Sequence, residues 1–128
     1  MKLLLDTCSF LWIIRGDSEI SETARKLFSE PENEIFLSAI SYWEILVKYQ
    51  LGRLPLPDAP ELYITKQRKL HRIESLSLDE NAIAQLLRLP EYHKDPFDRM
   101  LICQAIANGL AILTPDKDIR QYPVQCFW

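Results

Sequence analysis

Apolar and polar positions alternate along this chain in two different lengths. Leu3-Leu4-Leu5 is a short unbroken apolar run ending on Asp6, Glu34 to Leu37 reads as a second, and Leu110 to Thr114 as a third. Runs of this kind predict strands buried on both faces. Between them lie longer stretches with helical spacing. One runs from Ser9 to Ile14 and another from Ser21 to Ser29, opening on Ser21-Glu22-Thr23-Ala24. Ser38 caps a long helix through Leu51, stopped by Gly52, Pro55 and Pro57. Asp58 to about Arg72 predicts a helix with Asp58 as cap, Pro60 in its first turn, and His71 and Arg72 meeting the negative end of its dipole. Ile73 to Leu78 reads as extended, Asp79 to Leu89 as a helix closed by Pro90, and Asp95-Pro96 opens a helix that Gly109 ends. A helical turn from Asp116 to Arg120 and an edge strand from Val124 to Phe127 finish the chain. Strands alternating with helices in this way predict one α/β domain over residues 1–128, with a central parallel sheet of four or five strands flanked by helices. Such sheets take their ligands outside the carboxyl ends of the strands.

Composition narrows the chemistry. The three glycines, Gly16, Gly52 and Gly109, are far apart, which excludes both the dinucleotide fingerprint and the phosphate loop. Cys8, Cys103, Cys126, His71 and His93 show no zinc spacing, and three unpaired thiols suit a reducing compartment. The apolar start from Met1 to Ile14 is interrupted by Asp6 and ends at Arg15-Gly16-Asp17, too early to span a membrane and without a cleavage site. The expected location is therefore the cytoplasm. The net charge of -3 argues against nucleic acid only if the acids are spread evenly. With four of the 18 Asp and Glu held on a cation, the remainder is slightly outnumbered by the 15 Lys and Arg.

Four acids stand out on this scaffold. Asp6 ends the first strand, Asp116 follows the Leu110–Thr114 strand, and Asp98 lies in the first turn of the helix opened by Asp95-Pro96. Glu44 falls in the middle of the Ser38–Leu51 helix, on the border of its apolar stripe beside Ile40, Val47 and Leu51. Each has an ordinary structural explanation. Asp6 and Asp116 can be helix caps, Asp95 with Asp98 a capping pair, and Glu44 an i+4 partner of Lys48. Jointly, three of the four map to one rim of the sheet, and the helix carrying Glu44 starts from that rim too. Clustered carboxylates raise one another's pKa unless a cation neutralises them, and oxygen-only ligands select Mg²⁺ or Mn²⁺ over zinc. Carboxylate-held metal ions are a common device for phosphodiester hydrolysis.

The same residues carry a family resemblance. The chain resembles PIN-domain ribonucleases, and among them the VapC-like toxins of toxin–antitoxin pairs. The matching residues are Leu3-Leu4-Leu5-Asp6-Thr7 with Leu11-Trp12, and Ser38-Ala39-Ile40-Ser41-Tyr42-Trp43-Glu44-Ile45 with Lys48 and Gly52-Arg53-Leu54. His93-Lys94-Asp95-Pro96-Phe97-Asp98-Arg99-Met100-Leu101-Ile102 and Leu113-Thr114-Pro115-Asp116 complete them. The resemblance implies a metal-dependent endoribonuclease whose metal-binding and catalytic quartet is Asp6, Glu44, Asp98 and Asp116. Asp6 and Asp98 match the firmest ligands; Glu44 and Asp116 match more variable ones. It also implies an RNA substrate, a cognate antitoxin and a homodimer. Thr7 and Thr114 are hydroxyls beside the cluster that can orient water or cap structure. Cys8 stands where such sequences often carry His or Asn.

Other features have two readings each. Arg99 can bind a phosphate or hold a carboxylate; His93 can shuttle a proton or make a loop hydrogen bond. The basic run Lys66 to Arg72 can contact RNA or simply solvate a helix face. Trp12 and Trp43 read as core or subunit-interface residues, with Tyr63 a candidate for base stacking. Two other functions compete with the nuclease. One is a catalytically silent module of the same fold that binds RNA or protein. The other is a phosphotransferase with Asp6 as nucleophile, against which Cys8 counts, since it occupies the place of a second Asp.

Overall fold

The structure, a computed structural model describing residues 1–128, is built on a five-stranded sheet. The elements run β1 (Lys2–Leu5), α1 (Thr7–Arg15), α2 (Glu22–Ser29), β2 (Glu34–Ser38), α3 (Ala39–Gln50), α4 (Pro60–Leu70) and β3 (Ile73–Leu76). They continue through α5 (Glu80–Ala84), a 3-10 turn (Gln85–Arg88), α6 (Pro96–Asn108), β4 (Ala111–Leu113), α7 (Lys117–Arg120) and β5 (Cys126–Phe127). All strands are parallel, in the order β3-β2-β1-β4-β5. No helix is long and apolar enough to cross a membrane.

The triple leucine of β1 is explained by its place at the centre of this sheet. Leu4 pairs with Phe36 of β2 on one side and Ile112 of β4 on the other. Successive strand residues face opposite sides. Leu3 and Leu5 accordingly join Phe10, Leu37, Ile45 and Ile64 in one core layer. Leu4 joins Leu101, Ile102, Ile112 and Ile119 in the other. The chain moves outward from β1 to β2 and β3, then returns to lay β4 and β5 on the far side of β1. The connection therefore reverses between β1 and β4, and that reversal opens a crevice at their carboxyl ends.

Several boundaries differ from those the sequence predicts, each for a local reason. Helix α1 begins at Thr7, because Asp6 serves as its cap immediately after the strand. Asp58 does not cap α4: Pro60 fixes the first helical position, so the cap falls on Ala59, which has no side-chain acceptor. At α6 the same geometry puts Asp95 directly before Pro96, and there the side chain does cap, accepting from the backbone of Phe97 and Asp98. The expected helix over residues 79–89 tightens into the 3-10 turn after Ala84, since Leu89 must be extended ahead of Pro90. His71 caps the end of α4 and Arg72 lies beyond it at φ +55°. Strand β3 stops at Leu76 and β5 is confined to Cys126 and Phe127.

Because Leu4 is fully buried with a sheet neighbour on each side, Leu4→Ala is expected to cost about 3 kcal/mol in urea unfolding. A loss under about 1 kcal/mol would be inconsistent with β1 at the centre of the core.

Candidate active site

Asp6 is the hinge of the crevice. Its backbone leaves β1 and enters α1, and its side chain is buried at 5% exposure. Oδ1 accepts from the Ser9 amide at 2.8 Å, the ordinary bond of a helix cap. Oδ2 accepts from the Thr114 hydroxyl at 2.5 Å. Thr114 lies just beyond β4, and its oxygen accepts the amide of Asp116 at 3.0 Å. One hydroxyl thus joins the ends of β1 and β4 to the loop carrying the next acid. Ser9 adds a second tie, donating to the carbonyl of Leu113 at 2.9 Å. Burial pushes the Asp6 carboxyl above its usual range; the Ser9 and Thr114 hydrogen bonds oppose that, and the charge of Asp116 adds to it.

Glu44 enters from α3 and is also buried. The Thr7 hydroxyl donates to Oε1 at 2.6 Å, and Lys48, one helical turn on, donates to Oε2 at 2.6 Å. Thr7 also shares a 3.0 Å hydrogen bond with Ser41. Burial works to lower the Lys48 pKa, but the hydrogen bond and charge of Glu44 prevail and leave it above the usual range.

Asp98 is the third residue of α6, with its amide held by Asp95 Oδ1 at 3.1 Å and its Oδ2 3.3 Å from Nε2 of His93. Its carboxyl is pushed up to about 7, first by burial and then by the charge of Asp95. The His93 hydrogen bond works the other way, and Asp116 and Glu44 add further repulsion. Asp116 caps α7, accepting from the Asp118 amide at 2.8 Å. The exposed thiol of Cys8 feels Asp6, Glu44 and Asp98 as well as Lys48, and is raised by burial of its sulfur before any of these charges. The four predicted acids are therefore electrostatic neighbours across one crevice. Each also fills the ordinary structural role open to it, as cap, ion pair or first-turn acid. No three His, Cys, Asp or Glu side chains, however, close round a single point.

Other predicted residues fall differently. Arg99 makes no ion pair; its Nη1 donates to the Pro90 carbonyl at 2.8 Å and the Tyr122 hydroxyl at 3.1 Å, so it anchors the loop before α6 instead of clamping an acid. His93 makes the loop hydrogen bond and reaches Asp98 as well. Trp12 is half-buried against Trp128, and Trp43 is 58% exposed with its ring edge-on to Phe97, which takes it out of the core and leaves the subunit-interface alternative. The basic run lies elsewhere: Arg68, Lys69 and Arg72 line a hollow along the edge strand β3. The largest cavity, about 510 Å³, sits at the amino ends of β2 and β3 among Phe28, Glu34 and Arg72, away from the acids. The role of Tyr122 had no signal in the sequence, because only the fold brings it beside His93.

Three comparisons bear on this arrangement. The PIN domain profile matches residues 3–125. The chain is 37% identical over 107 residues to Ribonuclease VapC16 of Mycobacterium tuberculosis, covering 84% of this chain and 71% of that protein. A VapBC2 structure from Rickettsia felis, bound to a promoter DNA fragment, superposes with a TM-score of 0.71 at 15% identity, covering 99% of this chain and 98% of that one. A toxin–antitoxin complex from Klebsiella pneumoniae does so at 0.62 and 18%, covering 94% and 92%. At such identities the two structures bear on the fold.

Asp98 supplies a test of the crowding. Its carboxyl is pushed up to about 7 in the fold, against about 3.9 in an unfolded chain. The folded state thus binds more protons between those values, and stability falls as pH rises through that window. In chelator-treated buffer, the melting temperature of the wild type is expected to drop more steeply from about pH 5 to about pH 8 than that of Asp98→Asn. Parallel slopes would mean that the Asp98 carboxyl is not raised in the fold.

Proposed function

This chain belongs to the PIN-domain family, and from that premise we propose that it is a divalent-metal-dependent endoribonuclease, the toxin of a toxin–antitoxin pair. The observation that carries the reading is the meeting of Asp6, Glu44, Asp98 and Asp116, delivered by four different parts of the chain, at the switch point of the sheet. The donor set fits a hard cation in chemistry: it is all oxygen, and a cation offsets both the burial and the repulsion that lift Asp98. Its present hydrogen bonds hold the acids short of a closed cage, so coordination requires some of them to exchange partners.

Asp6 and Asp98 would hold the ion, Mg²⁺ or Mn²⁺, with Glu44 and Asp116 completing the set directly or through water. When bound, such an ion supplies positive charge to the scissile phosphate and lowers the pKa of water for in-line attack. The chain's own residues prepare that chemistry. Thr7 and Lys48 fix both oxygens of Glu44, and the partly exposed Lys48 ammonium adds positive charge at the crevice wall. Thr114 fixes Asp6 relative to Asp116. Arg99 is withheld from the phosphate by its two loop contacts. The cytoplasm supplies the RNA, and a cognate antitoxin restrains the toxin.

A silent RNA- or protein-binding module draws support from the fact that every one of the four acids already has a protein partner. A panel of structured RNAs separates the two. With Mn²⁺ or Mg²⁺, discrete cuts are expected that vanish with chelator and fall about a hundredfold or more in Asp6→Asn and Asp98→Asn. Asn caps a helix as well as Asp does but has one acceptor oxygen for Ser9 and Thr114 together, so the melting temperature of Asp6→Asn is read alongside its cleavage. Metal-dependent cleavage retained in both variants overturns the assignment; absence of both cleavage and Mn²⁺ binding returns the silent module.

The homodimer is supported by apolar side chains left exposed on elements that pack against or beside α6: Trp43 on α3, Ile83 on α5, and Leu86 and Leu87 on the 3-10 turn. Leu87, at 92%, is the most exposed of the large apolar side chains. Light scattering is expected to give a dimer for the wild type and a monomer for Leu87→Glu. A monomeric wild type removes the dimer from this reading.

A further inference from the structure

Tyr122 is buried, at 4% exposure, two residues past the end of α7. Its phenol oxygen has three polar neighbours. The backbone N–H of His93 donates to it at 3.2 Å and Nη1 of Arg99 at 3.1 Å. Neither group can act as an acceptor, so together they occupy both lone pairs of the phenol oxygen. The third neighbour is Nδ1 of His93, at 2.8 Å. The only hydrogen left for that contact is the phenol's own, which must be donated from Tyr122 to Nδ1. In a neutral imidazole an accepting Nδ1 means that the ring proton is on Nε2. Nε2 is the nitrogen that lies 3.3 Å from Oδ2 of Asp98. The donor count at Tyr122 and the acceptor at Asp98 thus require the same tautomer from opposite ends of the ring.

We propose that Tyr122 is a positioning residue for Asp98: it locks His93 as the Nε2–H tautomer, so that His93 grips Oδ2 and leaves Oδ1 for a cation. The cation part rests on the metal-nuclease reading above. Oδ1 has no hydrogen-bond partner in the fold, whereas Oδ2 has this one. The lock is rigid because Arg99 also holds the Pro90 carbonyl, and because the Tyr122 ring packs against Tyr92 at 5.1 Å and His93 at 5.4 Å. Outer hydrogen bonds of this type orient ligating groups and are worth about 10–100-fold in metal affinity. The arrangement gives the Arg99 side chain a purpose that neither phosphate binding nor carboxylate pairing supplied.

The test reads the ring nitrogens directly. The chain has only two histidines, so a His71→Gln background leaves His93 alone in a ¹⁵N spectrum of the imidazole ring. At about pH 8, in chelator, the wild-type ring is expected to be protonated on Nε2, with an Nδ1 resonance shielded by its hydrogen bond. In Tyr122→Phe that resonance is expected to move toward the value of a free ring nitrogen, or to broaden by exchange between tautomers. Calorimetric Mn²⁺ affinity is expected to weaken about 10–100-fold in the same variant, and to be unchanged in Tyr49→Phe, at an exposed tyrosine. A wild-type ring protonated on Nδ1 overturns the proposal and needs no variant to observe. So does an Nδ1 resonance indifferent to Tyr122→Phe. A wild type that binds no Mn²⁺ overturns the metal-nuclease reading instead, so the two failures register in separate measurements.

Discussion

The carboxylate of Asp6 holds the rest of this structure in place. It lies where the chain leaves the central strand, and the sheet reverses direction beside it, between β1 and β4. A buried carboxylate is costly unless its oxygens are satisfied. Here one oxygen begins α1 and the other crosses to Thr114. That second bond links residues 108 positions apart and fixes the separation of the two strand ends flanking the crevice. Without it the loop carrying Asp116 would be tied to the centre of the sheet only through the β4 ladder and the Ser9 contact.

Helix capping and the acidic crevice are produced by the same atoms. A parallel sheet sends every crossover helix off from the carboxyl end of a strand, so helix N-termini collect along that edge. N-termini favour carboxylates, both as caps and as partners of the dipole. Asp6, Asp116 and Asp95 are caps, and Asp98 sits in a first turn. The fold therefore concentrates negative charge at its switch point as a by-product of starting its helices. Glu44 is the exception: it lies mid-helix, gains nothing from a dipole, and needs Lys48 and Thr7 for support. Its burial has no capping rationale, which makes it the acid most in need of an explanation outside stability.

Much of this was legible in the sequence because its causes are local. Leu3-Leu4-Leu5, the Ser38 cap, the Asp95-Pro96 start and the Gly109 stop each act within a few residues, and the structure keeps all of them. Two of the elements that shifted did so through neighbouring prolines, Pro60 taking the cap from Asp58 and Pro90 tightening the turn before it. What the sequence did not disclose depends on long-range contact. Arg99 and Tyr122 are 23 residues apart, and His93 and Tyr122 are 29. No periodicity links them, and a tyrosine before a proline near the end of a chain carries no signal of its own. For Trp43 the sequence leaves core and subunit interface both open, because a tryptophan among aliphatics fits either, and only the fold turns this one outward beside Phe97.

The ordinary and the functional readings of the four acids can be separated oxygen by oxygen. Both oxygens of Asp6 and both of Glu44 have protein partners. Asp98 and Asp116 each have one oxygen bound, to His93 and to the Asp118 amide, and one without a partner. Asp6 and Glu44 are buried and need both oxygens satisfied, whereas Asp98 and Asp116 are partly exposed and can leave one oxygen to solvent. In the metal site proposed above, the open oxygens of Asp98 and Asp116 would be available to an ion without breaking a bond, whereas Asp6 and Glu44 would have to exchange a hydrogen bond for it.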